Sequence, residues 1–359
     1  MDTSLKQKGL LRRPGNHRRS VCVEMLNTRS LLRRRILTAA NRMMSTYRVG
    51  FSFRNPRSPW LVVEPSLCKP SSIKFWCNAE QKEYKFIDLR GGDLVAPDMK
   101  LLGSSPGWLA CQRPDGATFL LDPVTFDGVH LPPWIHRRRE VETLVFSDSE
   151  GKAFVIFRSG HSLAFCSTDR LGDGWSLFGG ALDKYESMVY STAHRRLFCI
   201  TSALKLEAWD VGHDPPRLDW VAHYDNPYQP SPDRPTLKYL ACDEQSGQLF
   251  LVVRHVSKSG EDLTVDFKVY RIDQGLNVMR GWLEGMTFFV GNNQAIAMRD
   301  GFGVEPDSVY FTYDKRLRYN TVVGNFDYRR KSISPVSCPF AANPYPVWFM
   351  AHPRHIIAV

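Results

Sequence analysis

The sequence predicts an all-β fold, specifically a β-propeller, and three observations lead there. Helical periodicity disappears after about Pro59, and short apolar or alternating runs take over, each bounded by Gly, Pro, Asp or Asn. Turn signals separate neighbouring runs at Pro114-Asp-Gly116, Ser159-Gly160 and Gly291-Asn-Asn293. These residue types supply the backbone geometry that tight hairpin turns demand. A longer period sits above the hairpins: bulky strands at Trp108, Phe154, Leu197 and Leu249 recur at steps of 46, 43 and 52 residues. They read as the inner strands of successive units, each followed by a second strand that in three of the four closes near an Asp, at Asp122, Asp210 and Asp273. Units of this length holding several strands are propeller blades, because one four-stranded blade cannot cover both of its faces alone. Six blades fit best, with seven as the alternative. The runner-up architecture is a pair of β-sandwiches, since the steps after Leu249 become irregular.

Thirteen runs read as strands. The first are Ile73–Cys77, Tyr84–Ile87, Gly107–Cys111, Thr118–Leu121 and Ala153–Phe157. Then come His161–Cys166, Arg196–Ile200, Leu204–Trp209, Gln248–Val253 and Asp266–Arg271. The last are Met286–Val290, Ser308–Thr312 and Gly324–Tyr328. None approaches the ~20 apolar residues that a membrane-spanning helix needs. The eight cysteines are dispersed, with no C-x-x-C and no Cys/His spacing suited to zinc. Most sit within apolar runs such as Leu197-Phe-Cys-Ile200, which reads as reduced core thiols in an intracellular compartment. No N-x-[ST] sequon is present, in agreement.

Charge divides the chain into a basic tail, residues 1–58, and a propeller domain, residues 59–359. Residues 1–50 hold twelve Lys and Arg against Asp2 and Glu24, a net +10 that equals the charge of the whole chain. The other residues carry 35 basic and 35 acidic side chains. A nucleic-acid groove should survive removal of the tail, so the basic pI gives no support to such a partner. Between Met25 and Val63 there are eight Arg, no Lys and no acid. On a helical wheel Leu32, Ile36, Leu37, Ala39, Ala40, Met43 and Met44 share an arc opposite Arg34, Arg35 and Arg42, while Arg33 intrudes on the apolar side. That is the composition of an organellar transit peptide. The alternatives are a disordered basic extension without a role, a mispredicted first exon, or a lost F-box region. Two locations therefore stay open: a mitochondrion or other organelle, and the cytosol or nucleus.

Several fragments resemble a known family. Lys100-Leu-Leu-Gly-Ser-Ser-Pro-Gly-Trp-Leu-Ala110, Thr118-Phe-Leu-Leu-Asp-Pro123 and Leu131-Pro-Pro133 closely resemble the plant F-box-associated KIB-type β-propeller family, catalogued as domain of unknown function 295. Its hallmarks are an L-L-G-S-S-x-G-W-L strand, an L-L-N-P strand and an L-P-P exit; here Asp122 replaces the usual Asn. Further fragments follow in the family's order: Leu163-Ala-Phe165 with Trp175, the segment from Tyr185 to Tyr190, and Tyr239-Leu240 leading into Leu249–Arg254. Phe267–Asp273, Trp282-Leu-Glu284, Thr287–Gly291 and Ser308–Asp314 complete the set, and Met286 departs from an expected Asp. The resemblance covers roughly residues 59–335. It implies a propeller that acts as the substrate receptor of a cullin ubiquitin ligase, joined by an N-terminal F-box to a Skp-type adaptor. The L-P-x-x-L-x-x-x-I opening and V-C-x-x-W end of an F-box are missing, and Val21-Cys22 is the only echo. One branch of the family looks organelle-targeted and free of the F-box, which suits the Arg-rich tail.

No catalytic residue, cofactor site or metal site is expected. Gly160-His-Ser-Leu-Ala164 imitates a nucleophile elbow but lacks the final Gly and the strand-to-helix turn. Asp148-Ser-Glu-Gly151 is too short for a calcium loop. Gly172-Asp-Gly174 and Gly301-Phe-Gly303 precede no helix that could hold phosphate. His352 and His355 read as a frayed end. Candidate protein-binding residues are Tyr224 and Tyr228, in a long Pro- and Tyr-rich loop, and Trp134 with Arg137, Arg138 and Arg139. A floppy insertion and a solvated linker are the bland readings of these two segments. The functional expectation is a non-enzymatic protein-interaction scaffold whose partner protein is unknown. The rivals are an F-box-type receptor with a diverged or truncated N-terminus, and a propeller enzyme or lectin with a site in the central channel.

Overall fold

The computed structural model describes residues 58–66, 72–87, 99–133, 141–157, 161–180, 182–225, 235–257, 263–299, 303–312, 323–336 and 346–351. The tail of residues 1–57 and His352 and His355 lie outside the described residues. No described helix is long and apolar enough to cross a membrane.

Among the described residues, twenty-five strands form six blades. Blade 1 takes β1 (Trp60–Ser66), β2 (Ser72–Cys77) and β3 (Lys82–Ile87). Blade 2 is β4 (Lys100–Ser105), β5 (Trp108–Gln112), β6 (Thr118–Leu121) and β7 (Gly128–His130). Blade 3 is β8 (Val141–Ser147), β9 (Lys152–Phe157), β10 (Ser162–Ser167) and β11 (Ser176–Gly180). Blade 4 is β12 (Tyr185–Ser191), β13 (Arg196–Thr201), β14 (Lys205–Asp210) and β15 (Arg217–His223). Blade 5 is β16 (Thr236–Asp243), β17 (Gln248–Val256), β18 (Thr264–Ile272) and β19 (Leu276–Val278). Blade 6 contains β20 (Met286–Val290), β21 (Ala295–Arg299), β22 (Ser308–Phe311), β23 (Gly324–Asp327) and β24 (Ser332–Pro335). The last strand, β25 (Val347–Phe349), returns to β1 and supplies the innermost strand of blade 1, pairing Leu61 with Trp348. One blade thus joins both ends of the propeller, which hides a sheet edge that would otherwise be open.

Strand alternation explains the core. Successive side chains point to opposite faces, so each blade feeds two interfaces. In β20, Met286, Phe288 and Val290 pack with blade 5, while Phe289 packs with Trp348 and Leu61 of blade 1. Blades 2 and 3 meet through Trp108, Leu120, Phe146 and Val155, and blades 3 and 4 through Phe154, Phe178, Tyr185 and Trp209. Full burial of one such side chain stabilises by about 1.5–3 kcal/mol. Five cysteines (Cys77, Cys111, Cys166, Cys199, Cys242) are free and buried. Cys22, Cys68 and Cys338 lie outside the described residues.

The period read from Trp108, Phe154, Leu197 and Leu249 is the blade repeat, but its phase is off by one strand. These residues lie in β5, β9, β13 and β17, the second strands, and the inner strands are β4, β8, β12 and β16, which neighbour one another around the axis. Second strands are apolar on both sides because both faces are covered. Inner strands carry Ser and Gly, because they approach the next blade closely. The Ser105 hydroxyl accepts the Phe146 amide at 2.8 Å, and the Ser187 hydroxyl accepts the Leu240 amide at 2.9 Å. The Asp residues end the third strands, as expected. Asp122, buried after β6, accepts the Val124 and Thr125 amides at 3.0 and 3.2 Å, so a carboxylate performs the turn-capping expected of Asn.

Blade 6 breaks the pattern. β20 and β22 are parallel neighbours, and β21 lies on the other side of β20, pairing in parallel with β16 of blade 5 through Ala241–Ala295 and Cys242–Ile296. The Gly291–Gln294 turn reaches the inner strands of several blades. The Gln294 amide donates to the Ser104 carbonyl of blade 2 at 2.9 Å, and its side chain donates to the Tyr190 carbonyl of blade 4 at 3.1 Å. Asn292, Asn293 and Gln294 are all buried. Gly103 of β4 permits this approach: a Cβ there would stand 3.0 Å from the Asn292 carbonyl oxygen and 3.2 Å from that of Leu144. The axis is therefore filled by backbone and amide side chains at the level of this turn.

Candidate functional site

A groove of about 520 Å³ opens between blades 4 and 5 at the outer part of the ring. Two turns at corresponding positions of successive blades build one end of it. In the β12–β13 turn the Ser191 hydroxyl accepts the His194 amide at 3.3 Å and lies 3.1 Å from His194 Nδ1. The Glu244 carboxylate, from the next blade, accepts the Thr192 and Ala193 amides at 2.9 and 3.1 Å. In the β16–β17 turn, Asp243 accepts the Gln245 amide at 3.2 Å and the Ser246 hydroxyl at 2.6 Å. Gly247 has φ +73, and a Cβ on it would meet the His194 ring at 2.9 Å, so both the backbone and the space demand glycine.

The floor is apolar, made by Phe198, Leu249 and Ile272, and one wall is aromatic, made by Trp220 and Tyr224. The Trp220 and Phe198 rings lie 6.0 Å apart. Arg196 Nε donates to the Asp219 carboxylate at 2.9 Å, and a second guanidinium nitrogen lies 3.6 Å from Asp210. Asp273 accepts the Asn277 side-chain amide at 3.3 Å. Burial raises the Tyr224 hydroxyl pKa, and the negative charge of Asp273 adds to the shift.

A register shift in the β14–β15 pair shapes the wall. Leu218 pairs with Trp209 and Trp220 with Ala208, so Asp219 is the extra residue of a bulge. The shift places Trp220 on the blade 5 side with Ala208, while Leu218 and Val221 share the opposite side with Trp209 and Glu207. β15 is exposed along almost its whole length, with Leu218 47%, Trp220 42% and Val221 36% accessible.

Of the residues nominated from sequence, Tyr224 lines this groove, and its amide donates to the Leu204 carbonyl at 3.2 Å. Tyr228, Trp134, Arg137, Arg138 and Arg139 lie outside the described residues. His194, Trp220 and Gly247 escaped the sequence reading, and Asp273 entered it only as a strand-closing residue. The signal for Trp220 was present, an aromatic in a charged run, Arg217-Leu-Asp-Trp220, just before the Tyr-rich loop. Asp148–Gly151 forms the β8–β9 turn, and Gly172 and Asp173 lie in a one-turn 3-10 helix, Leu171–Asp173, that Gly174 ends before β11. Among the described residues, no group of three or more His, Cys, Asp or Glu is placed to hold a metal ion.

The KIB1-4 β-propeller family model matches residues 74–334, from β2 to β24. The chain belongs to the KIB1-4 β-propeller family. No curated protein matches it. Among solved structures, it is similar to YCF48 bound to D1 peptide, at 13% identity and a TM-score of 0.35, over 59% of this chain and 61% of that one. It is also similar to apo AztD from Citrobacter koseri, at 12% identity and a TM-score of 0.37, over 64% and 60% of the two chains. A third is the nidogen/laminin complex, at 10% identity and a TM-score of 0.40, over 83% of this chain and 94% of that one. The match spans about three-fifths of the length of the first two structures. The KIB-family fold of this chain suits a protein-interaction scaffold.

Proposed function

We propose that this KIB-family propeller is a non-enzymatic scaffold that holds a partner protein in the groove between blades 4 and 5. One observation carries the reading: Trp220, a large apolar side chain 42% exposed on the outer strand β15, stands on the groove side beside the half-buried Tyr224. Aromatic side chains over a desolvated floor, ringed by charge, are the composition of an interface centre with a polar rim. At the axis, by contrast, the Gly291–Gln294 turn hydrogen-bonds to the inner strands of blades 2 and 4.

Photo-crosslinking from defined positions tests the proposal. The full chain carries p-benzoylphenylalanine at Trp220, or, as a control, at Ile333 on the exposed outer strand of blade 6. A discrete protein adduct from 220, absent from 333 and diminished by Tyr224→Ala, is the expected result. An adduct formed equally well from both positions, or only from 333, rules the groove out.

A further inference from the structure

Resting on that reading of the groove, we infer that the segment it takes is an extended peptide bearing an Arg or Lys, added as a fifth strand to β15. The peptide's cation lies against Tyr224, Trp220 and Asp273. Two independent features of the structure lead there.

The first is the edge. The outermost strand of a blade exposes one row of backbone N–H and C=O groups, and folded proteins keep such edges short to prevent pairing with other chains. Here β7 and β19 have three residues each, β24 four, β11 five and β3 six. β15 has seven and carries the exposed Leu218, Trp220 and Val221. A strand of that length can receive an incoming segment by backbone pairing, the mode in which alternate side chains then enter pockets. The bulge at Asp219 gives the added strand two different faces to read: Trp220 and the groove on one, Leu218 and Val221 on the other.

The second is charge. The cation lining the groove, Arg196, is already paired with Asp219 and Asp210. Asp273 also lines the groove, and among the described residues no cation lies within ion-pair distance of it. Its charge is felt by the neighbouring Tyr224. A carboxylate beside an electron-rich ring, with an indole on the same wall, favours an incoming guanidinium or ammonium and disfavours an acid. The predicted ligand therefore reads as alternating residues, with a basic side chain turned to the groove and β-branched or apolar neighbours over Leu218 and Val221.

Panning a heptapeptide display library on the full chain, followed by fluorescence anisotropy of the recovered peptides, tests this. Recovered sequences should carry Arg or Lys. Asp273→Asn should weaken their binding roughly tenfold, as expected for loss of a partly desolvated cation contact. N-methylation of alternate peptide amides should abolish binding while leaving every side chain in place. Peptides that lose affinity with Trp220→Ala but ignore both Asp273→Asn and replacement of their Arg by norleucine overturn the cation, yet leave the groove standing. Binding that tolerates N-methylation overturns the added strand. Peptides that bind Trp220→Ala as tightly as the parent chain sink the groove reading itself.

Discussion

Blade 6 inserts its extra chain at the axis, whereas blade 4 extends its outer strand at the rim. In blade 6, β21 and the Gly291–Gln294 turn are wrapped by inner strands, and Gln294 donates to carbonyls of blades 2 and 4. Burial makes that departure part of the folding free energy. In blade 4, β15 leaves Leu218, Trp220 and Val221 in solvent, where they add little to folding and remain free to meet another protein. The same four-stranded unit thus serves closure when altered inside and recognition when altered outside. Mutations at the two places should separate stability from binding.

The largest loss of stability is expected at ring closure. Trp348 is fully buried, with its ring 5.1 Å from Phe289 and 6.0 Å from Tyr310. Trp348→Ala should cost about 3–5 kcal/mol, read from the urea midpoint at constant slope. A loss below about 1 kcal/mol would mean that β25 does not close the ring. Next comes the axis: Gly103→Val forces a branched side chain against two backbone oxygens and should cost about 1–3 kcal/mol. Wild-type stability in that variant would show that the turn does not pack against β4.

A smaller, pH-dependent effect follows from the buried acids. Desolvation raises Cys166 and Cys242 from 9.0 to about 12 and Tyr270 from 10.0 to about 12. These groups ionise more readily in the unfolded chain, so the stability they contribute is complete below pH 9. It is lost as pH rises towards 12. Thermal melting should therefore fall steadily above pH 9, and the five buried thiols at pH 8 should resist a thiol reagent until the chain is unfolded. A flat profile from pH 8 to 11 contradicts this.

The smallest effect on folding is expected at the rim. Trp220→Ala should change stability by less than about 1 kcal/mol, the usual range for an exposed position. Its consequence is loss of partner adducts. A large destabilisation would make Trp220 a core residue, and the contrast between the two blades would disappear.

Much of this architecture was legible in the sequence, and the gaps have physical causes. β6 and β20 fall on the runs Thr118–Leu121 and Met286–Val290, because continuous apolar segments bounded by turns leave little choice. β7, β19 and β24 were silent, since short exposed strands carry no hydrophobic pattern. Inner strands such as β4 were visible only as part of a family motif, because Gly103, Ser104 and Ser105 answer the next blade rather than the core. The irregular spacing after Leu249 has its cause in β21, an inserted strand that lengthens one unit. The groove was half legible. Tyr224 stood out in an aromatic loop, but His194, Gly247 and Asp273 come together only when turns from two consecutive blades are stacked.

Hydrogen–deuterium exchange of the full chain, alone and with the partner recovered by crosslinking, addresses the central claim most directly. Protection is expected at Arg217–His223 and at the β16–β17 turn around Gly247, with the axial segment from Gly291 to Ile296 unchanged. Protection at that axial segment, with β15 exchanging as in the free chain, would place the partner on the axis and contradict the account.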